Sequence, residues 1–277
     1  MKKILILLAL FAITIFVIFW SSTRWLKVYN HVLYFDNLPE HLEGVRILQI
    51  SDLHSNHPTR MNIDIWRHID QLDFDIVAIT GDIILGRRWF YGGPIDELDA
   101  HRQQFTALAA SVPTFFVEGN HESHKFPQIS TLMDELGIQF LRNDNISLEI
   151  NGGIIEIIGT ADYSTLRRTG FAEFNALFAE QSDNFQLVLT HQPQLFDRFK
   201  NSGINLALTG HTHGGQLRLP FVPTIYAPGQ GFWPRYGNGF YHHNDAVLYV
   251  SRGIGTTYFP LRFWNRPEIA IFELRGK

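Results

Sequence analysis

The apolar run Ile204-Asn-Leu-Ala-Leu-Thr209 leads directly into Gly210-His-Thr-His-Gly-Gly-Gln216. The run has the length and branched-residue content of a buried β-strand. His211 and His213 are two residues apart, and in an extended chain such side chains point to the same side. Ligands of open α/β sheets bind at the carboxyl ends of strands, so this stretch predicts a binding site at the end of a strand.

Four earlier apolar runs show the same arrangement. The runs and the motifs that follow them are Val45–Ile50 with Ser51-Asp-Leu-His54, Asp75–Thr80 with Gly81-Asp82, Thr114–Val117 with Gly119-Asn-His-Glu122, and Phe185–Thr190 with His191-Gln192. Helical patterns at 61–72, 94–110, 129–136 and 171–178 separate several of the runs. Alternating strands and helices are typical of an α/β domain. We therefore expect the five polar motifs to meet at one edge of one sheet.

The rest of the chain after residue 43 predicts further strands of the same domain. The segment 147–159 resembles a hairpin that turns at Asn151-Gly152. Two later runs, Ala246–Ser251 and Glu268–Leu274, also have strand character. Without an internal repeat or a low-complexity segment, the simplest organisation is an anchor with its flanks at 1–27, a connector at 28–43 and one catalytic domain at 44–277.

The amino terminus predicts a membrane anchor. Ile4–Trp20 contains no charge, Gly or Pro, and a spanning helix needs about 20 apolar residues, with about 17 as the lower limit. A cleaved signal peptide is a weaker alternative, because its apolar region would be about 7–15 residues long and end at a small-residue cleavage site. A buried core helix is a third reading. Lys2 and Lys3 nearly balance Arg24 and Lys27, so the positive charges favour an extracytoplasmic catalytic domain only weakly.

Composition excludes several kinds of site and partner. The 277 residues include no cysteine, which excludes disulfides, sulfur-based zinc or iron–sulfur sites and a thiol nucleophile. With 23 basic and 27 acidic residues, the chain has no basic surplus that would indicate a nucleic-acid partner. At 45% hydrophobic residues, it can bury a large core.

The polar motifs together indicate metal chemistry. Oxygen donors mixed with imidazoles, without sulfur, suit Mn, Zn or Fe better than Ca or Mg. The donors are too many for one tetrahedral ion, and they fit two ions that share a carboxylate. Two metals about 3.5–4 Å apart can hold a hydroxide and clamp the attacking and leaving oxygens of a displacement at phosphorus. Each motif alone is more often a turn, but five in succession at strand ends favour phosphoester hydrolysis.

The motifs at 52–54, 81–82, 119–122, 190–191 and 210–216 resemble those of the calcineurin-like metallophosphoesterase superfamily, over residues ~44–275. The stretch Ser251-Arg-Gly-Ile-Gly-Thr-Thr-Tyr-Phe-Pro-Leu-Arg-Phe-Trp-Asn-Arg-Pro-Glu-Ile269 and the anchor resemble its membrane-anchored bacterial branch, the YkuE- and YaeI-like phosphoesterases. The resemblance implies a four-layer α/β/β/α sandwich with a dinuclear site at one end.

The resemblance also implies a role for each site residue. One metal would be bound by Asp52, His54 and His213, and the other by Asn120, His191 and His211. Asp82 would bridge the two metals, and His121 would be the general acid beside the phosphate. Glu122 stands where much of the superfamily has Asp, and we expect it to contact His121.

The sequence leaves the substrate open. The first hypothesis is a lipid-linked or envelope phosphodiester or pyrophosphate, such as a UDP-2,3-diacylglucosamine-like molecule. The alternatives are a tethered hydrolase of soluble phosphoesters or nucleotides and a non-catalytic metal-binding scaffold, which the complete ligand set disfavours. Arg87 or Arg88 could reach a phosphate, and His57 and His124 could support the site. The aromatic segment 221–241 either forms a mouth for an acyl chain or packs on the body.

Overall fold

A computed structural model describes residues 2–54, 65–85, 98, 101–180, 182–256 and 262–277. Within these ranges the strands form two six-stranded sheets and one two-stranded ribbon. The first sheet contains, in spatial order, Lys27–Phe35 (β1), Glu268–Gly276 (β14), Arg46–Ile50 (β2), Ile76–Ile79 (β3), Thr114–Phe116 (β4) and Gln139–Phe140 (β5). Strands β2 to β5 run parallel, so their carboxyl ends lie at the same edge.

The second sheet has a parallel centre with antiparallel strands at its edges. Its strands, in spatial order, are Gly239–His243 (β12), Ala246–Val250 (β13), Leu206–Thr209 (β9), Phe185–Leu189 (β8), Gly153–Gly159 (β7) and Asp144–Ile150 (β6). The ribbon pairs Tyr226–Ala227 (β10) with Gly231–Phe232 (β11). Asn151 and Gly152, both at positive φ, form the turn between β6 and β7, which confirms the predicted hairpin.

The strands carry apolar side chains on both faces. These side chains form three hydrophobic clusters, one between the two sheets and one on the outer face of each sheet. In β2, Ile47 packs between the two sheets whereas Leu48 packs on the outer face of the first sheet. In β8, Leu187 lies between the sheets and Val188 on the outer face of the second sheet. Because successive side chains of a strand point to opposite faces, strands buried on both faces need nearly continuous apolar runs. The predicted four-layer α/β/β/α sandwich is therefore confirmed.

Short helices cover the outer faces of both sheets. Those on the first sheet are Ile65–Ile69 (α2), Arg102–Ser111 (α3) and Phe126–Leu136 (α4). Those on the second are Tyr163–Thr169 (α5), Ala172–Ala176 (α6) and Phe196–Phe199 (α7). Gly137, at φ 75°, ends α4, and the Asp162 carboxylate caps α5 by accepting from the Ser164 amide. The first parts of the helices predicted at 61–72 and 94–110 lie outside the described residues.

The amino-terminal helix Lys2–Arg24 (α1) is long and apolar enough to cross a membrane, and its position also suits a signal sequence. It is exposed along most of its length, but Ser22 and Thr23 are buried at its carboxyl end. There the Phe19 ring lies 4.8 Å from that of Phe263.

Two features of the layout differ from the sequence-based expectation. The predicted connector at 28–43 contains most of β1, which pairs with β14 in parallel over Lys27–Phe35. Its residues alternate between exposed and partly buried positions, as suits an edge strand, and so lack a continuous apolar run. The prediction that all five motif-bearing strands share one sheet is wrong, because β2, β3 and β4 belong to the first sheet and β8 and β9 to the second. The division into domains stays a prediction.

Candidate metal centre

All eight residues predicted for the site lie together at the carboxyl ends of β2, β3, β4, β8 and β9. They are Asp52, His54, Asp82, Asn120, His121, His191, His211 and His213. The strands come from both sheets, which pack face to face, so the two sets of strand ends meet. The Gln49 side chain of β2 links the sheets just below the site by donating to the carbonyl of Thr209 at 3.0 Å.

One group of donor atoms consists of Asp52, His54 and His213. Nε2 of His54 lies 3.1 Å from Nε2 of His213, and Nε2 of His213 lies 3.3 Å from Oδ1 of Asp52. The two imidazole rings are nearly parallel, with their centres 5.0 Å apart. Two nitrogens and a carboxylate oxygen therefore point to one place, as ligands of a single cation would.

A second group consists of Asp82, His191 and His211. Nε2 of His191 lies 3.2 Å from both Nδ1 of His211 and Oδ2 of Asp82. The same Asp82 oxygen is 3.9 Å from Nε2 of His54, which belongs to the first group. Asp82 thus stands between the two sets of imidazoles, where a carboxylate shared by two cations would stand.

Asn120 contributes a buried acceptor without a protein partner. Its Oδ1 atom has no hydrogen bond within the described part of the chain, although its residue lines the same pocket as Asp82 and His211. A buried polar atom that lacks a partner is unfavourable, and a cation would satisfy it. This oxygen, together with the two groups of carboxylates and imidazoles, fits the donor set that a pair of divalent ions needs.

His121 is oriented by its backbone neighbours. Its Nδ1 atom donates to the carbonyl of Leu85, so Nε2 faces the pocket. This Nε2 atom is 3.8 Å from Oδ2 of Asp82, and the backbone amide of His121 donates to Oδ1 of Asp82 at 3.0 Å. The side chain is 14% exposed, and it therefore remains accessible from the pocket.

The backbone of the site is held in an unusual conformation. Five of the eight side chains belong to residues with left-handed φ angles, namely Asp52 at 51°, His54 at 45°, Asp82 at 51°, His211 at 70° and His213 at 50°. Each such residue costs roughly 1–3 kcal/mol and persists only where the surrounding structure enforces it. Their concentration here indicates a site built for function rather than for stability.

The family follows from sequence comparison. The calcineurin-like phosphoesterase family model matches residues 45–215, more than half of the chain and four of the five motifs in full. The chain belongs to the calcineurin-like phosphoesterase family. It is a phosphoester hydrolase, and its candidate ligand groups agree with the family's use of divalent metals.

Its relatives include proteins of the predicted bacterial branch. Metallophosphoesterase YkuE of Bacillus subtilis (strain 168) is 30% identical over 269 residues, which are 93% of this chain and 88% of YkuE. Metallophosphoesterase YkoQ of the same strain is 28% identical over 86% of each chain. Phosphodiesterase YaeI of Escherichia coli (strain K12) is 28% identical over 92% of this chain and 90% of YaeI. The predicted resemblance to YkuE and YaeI is confirmed.

Burial sets the protonation of this phosphoesterase's imidazoles in the absence of metal. Burial, reinforced by neighbouring imidazoles, lowers the pKa of His54 and of His211 to about 3 and that of His213 well below its usual value. These rings are therefore neutral over the physiological range, as a metal ligand needs to be. Burial alone would lower the pKa of His191 too, but the charges of Asp82 and Asp52 raise it well above its usual value.

Glu122 makes three backbone contacts that the sequence did not predict. Its buried carboxylate accepts from the backbone amides of Gly119 at 2.8 Å, Asp82 at 2.9 Å and Ile84 at 3.0 Å. It thereby ties the turn after β4 to the loop after β3. The charge of Glu122 also raises the pKa of His121, so the carboxylate acts on that ring as well as holding the backbone beneath Asp82.

Two residues that support His213 were not predicted. The buried side chain of Arg262 donates to the carbonyl of Arg252 at 2.8 Å, and its Nη2 atom lies 3.3 Å from Nδ1 of His213. Asn265 donates to the backbone carbonyl of His213 at 2.6 Å. Both lie in the stretch 251–269 that carries the family resemblance, and that resemblance is the only sequence signal that points to them.

Two glycines allow the loops to approach the carboxylates closely. A Cβ atom at Gly119 would lie 2.2 Å from Oδ1 of Asp82, and one at Gly210 would lie 2.3 Å from Oδ2 of Asp52. Any side chain at either position would push a candidate ligand out of place.

The site opens into a pocket of about 600 Å³. Asp82, Asn120, His121, His211 and His213 are polar lining residues, and the apolar ones are Leu217, Ile225, Tyr226 and Pro228. Of the aromatic segment 221–241, Tyr226 lines this pocket, whereas Tyr236 is buried and Phe240 packs 4.7 Å from the ring of Tyr249. The segment therefore divides between a pocket wall and ordinary packing. Arg87, Arg88 and His57 lie outside the described residues, and His124 is exposed.

Proposed function

We propose that this phosphoesterase hydrolyses a phosphodiester or pyrophosphate bond with the help of two divalent ions held in the candidate metal centre. The observation that carries the proposal is the position of Asp82, whose Oδ2 atom lies 3.2 Å from His191 on one side and 3.9 Å from His54 on the other. A carboxylate in this place can serve both ions at once.

The ligand sets follow from two of the three groups of donor atoms; the third, His54, Asp82 and His121, contains the residue that we assign to the leaving group. Asp52, His54 and His213 would hold one ion. His191, His211 and the unpartnered Asn120 oxygen would hold the other, with Asp82 shared. Mn, Zn and Fe suit this mixture of nitrogen and oxygen donors. When bound, such ions would activate water and withdraw charge from the phosphoryl oxygens.

His121 would donate the proton that the leaving oxygen needs. Its Nδ1 atom is occupied by the Leu85 carbonyl, so Nε2 is the nitrogen available to the substrate. Burial lowers the pKa of His121, but the charges of Asp82 and Glu122 and the bond to Leu85 raise it above its usual value overall. A ring that keeps its proton near neutral pH is suited to act as a general acid.

The pocket favours an acylated substrate over a fully polar one. Leu217, Ile225 and Tyr226 line it beside the polar site. A phosphate at the metals would therefore have an apolar surface within reach for a lipid chain. A lipid-linked or envelope molecule, of the UDP-2,3-diacylglucosamine kind, meets both requirements.

The proposal also includes α1 as a single-pass membrane anchor. The helix is 23 residues long, and its apolar side chains are exposed along most of its length. The charges around it favour an extracytoplasmic domain weakly, whereas a UDP-linked substrate requires the cytoplasmic side. A topology reporter fused after Lys27 decides between these two locations.

Matched substrates test the proposal. The purified full chain, loaded with Mn or Zn, should bind two ions and hydrolyse a generic aryl phosphodiester. It should prefer phosphodiesters and pyrophosphates with acyl chains to the same compounds without them. Equal rates on both would favour soluble phosphoesters as substrates, and a metal-loaded protein inactive on every compound would contradict the catalytic proposal.

A further inference from the structure

Large apolar side chains are exposed on segments that line the pocket or pair with a segment that does. Five of them form what we call the apolar rim: Leu219, Phe221, Phe232, Trp233 and Trp264. Phe221 is fully exposed, Trp233 is 66% exposed and Trp264 is 50% exposed. A group of exposed aromatic side chains marks an interaction surface more often than a solvated one.

Hydrogen bonds join segments of the rim in pairs. The amide of Arg218 donates to the carbonyl of Phe263 at 2.9 Å, which places Trp264 near Leu219. The amide of Trp233 donates to the carbonyl of Ile225 at 2.7 Å. Leu217 and Ile225, which belong to these same segments, line the pocket, so the rim lies close to the pocket's apolar residues.

The rim is continuous with the end of α1. Phe263, next to Trp264, packs its ring 4.8 Å from that of Phe19, in the last two turns of the helix. Arg266 donates to the carbonyl of Trp25 at 2.9 Å, just after the helix ends. The rim therefore lies at the level where the chain would leave the bilayer if α1 spans it.

Basic and aromatic side chains lie at the carboxyl end of α1. The Arg24 guanidinium lies 3.8 Å from the centre of the Trp20 ring, and that of Arg266 lies 5.7 Å from the centre of the Trp25 ring. Tryptophan and arginine are the residues that prefer the boundary between lipid and water, and basic groups there attract anionic headgroups. The surroundings of the rim thus match a bilayer surface in both polarity and charge.

The backbone of the rim supports a dedicated role. Phe221, Trp233 and Trp264 have φ angles of 62°, 55° and 51°. Bulky residues are genuine outliers in this left-handed region, and each also exposes its ring. Neither the left-handed backbone nor the exposed ring stabilises a domain surrounded by water, whereas a bilayer would bury the exposed rings.

We infer that the apolar rim rests on the lipid bilayer as a second membrane contact, in addition to α1. The contact turns the mouth of the pocket towards the headgroups, so that a phosphate carried by a lipid can reach the site without leaving the membrane. The inference rests on the proposed anchor but not on the proposed catalysis, and it can be tested without any activity measurement.

Single-cysteine labelling is the direct test, because the natural chain contains no cysteine. The full-length variants Phe221→Cys, Trp233→Cys and Trp264→Cys carry an environment-sensitive fluorophore in vesicles of phosphatidylcholine and phosphatidylglycerol. Phe11→Cys in α1 is the reference for lipid, and Ser147→Cys on the exposed face of β6 is the reference for water. The three rim labels should show blue-shifted emission and quenching by doxyl-labelled lipid, as Phe11→Cys does.

Two results would overturn the inference in distinguishable ways. If the rim labels behave like the label at position 147 while the label at position 11 is in lipid, the rim does not touch the bilayer and the anchor stands. If the label at position 11 is also in water, the anchor and the rim contact both fail.

A charged variant adds a functional measurement. Phe221→Asp combined with Trp233→Asp changes two residues that do not line the described pocket. It should lose hydrolysis of an alkylated aryl phosphodiester embedded in those vesicles and retain hydrolysis of the soluble aryl phosphodiester. Equal losses on both substrates, or no loss on either, would contradict a role of the rim in membrane contact.

Discussion

Oδ2 of Asp82, which follows β3 of the first sheet, lies 3.2 Å from Nε2 of His191, which follows β8 of the second sheet. The other nitrogen of His191, Nδ1, lies 2.8 Å from the carbonyl of Thr80 in the first sheet. The imidazole is therefore held by the opposite sheet at both of its nitrogens. The candidate centre exists only where the two sheets meet, and neither sheet could form it alone.

The shared position of Asp82 predicts that its loss affects both ions. Asp82→Asn removes the negative charge that faces both groups of imidazoles, so metal content should fall from two ions per chain to one or fewer. Elemental analysis of the purified chain measures this. Asp73→Asn is the matched control, because its side chain is 98% exposed and should change nothing. Two ions in the Asp82 variant would contradict the bridging role.

His121 is predicted to act on the leaving group rather than on the metals. His121→Ala should lower kcat on an aryl phosphodiester by roughly 10²–10⁴-fold, the usual contribution of a general acid. The metal content and the free energy of unfolding should stay as in the parent chain, since Nε2 of His121 faces the pocket. His242→Ala, at an exposed position of β12, controls for loss of an imidazole. A loss of metal in the His121 variant would instead indicate that His121 is a metal ligand.

The sequence predicted the strands and the polar residues that meet at the candidate centre because one physical feature determines both. Strands such as β3 and β8 are buried on two faces, so they read as apolar runs, unbroken in β3 and interrupted only by Gln186 in β8. The polar residues that follow these runs mark the sheet edge. The assignment of Asp82 and His191 to one site needed no knowledge of which sheet each belongs to. The resemblance to a family then supplied the individual roles.

Other parts of the structure had no local signal in the sequence. Strand β1 alternates in exposure along the edge of the first sheet, and its pairing with β14 joins residues more than 200 positions apart. Arg262 contacts His213 although the two residues are 49 positions apart in the sequence. The role of Glu122 depends on three backbone amides that only the folded loops bring together. Contacts of this kind depend on tertiary geometry, which periodicity and spacing do not encode.

Glu122 is predicted to be important for stability as well as for the site. In the Glu122→Gln variant, the remaining side-chain oxygen can still accept hydrogen bonds from the backbone amides of Gly119 and Asp82. The new side-chain NH2 group then faces the backbone amide of Ile84, so two hydrogen-bond donors oppose each other. A buried donor without an acceptor costs about 1–3 kcal/mol in the free energy of unfolding. Urea denaturation of the metal-loaded chain measures this difference.

Two further variants sharpen the prediction for Glu122. Glu149→Gln, at an exposed position of β6, should leave the unfolding free energy unchanged. Glu122→Asp is one methylene shorter and should lose at least one of the three amide contacts, giving an intermediate loss. Equal stability of the parent chain and the Glu122→Gln variant would show that the carboxylate does not hold the loops.

Metal binding is predicted to release protons near pH 6. In the metal-free protein, burial raises the pKa of Asp52 to about 6, with the charge of Asp82 adding to the effect and that of His191 opposing it. Burial and Asp82 raise the pKa of Glu122 to about 7, and carboxylate charges raise that of His191 well above its usual value. All three groups therefore carry protons at a pH where ordinary carboxyls do not.

The direction in which metal affinity changes with pH follows from these pKa shifts. Cations favour the deprotonated forms, so each of these groups gives up its proton on binding. Metal affinity should therefore rise with pH from about 5 to 7 as Asp52 and Glu122 lose their protons, and it should keep rising above pH 7 because His191 is still protonated there. His54 and His211, with pKa values lowered to about 3, are already neutral there and should add nothing to the slope. Titration calorimetry with Mn or Zn at pH 6, in two buffers of different ionisation enthalpy, measures the protons released. Glu122→Gln should release fewer protons than the parent chain, and heats that do not depend on the buffer would mean that the metal-free centre is already deprotonated.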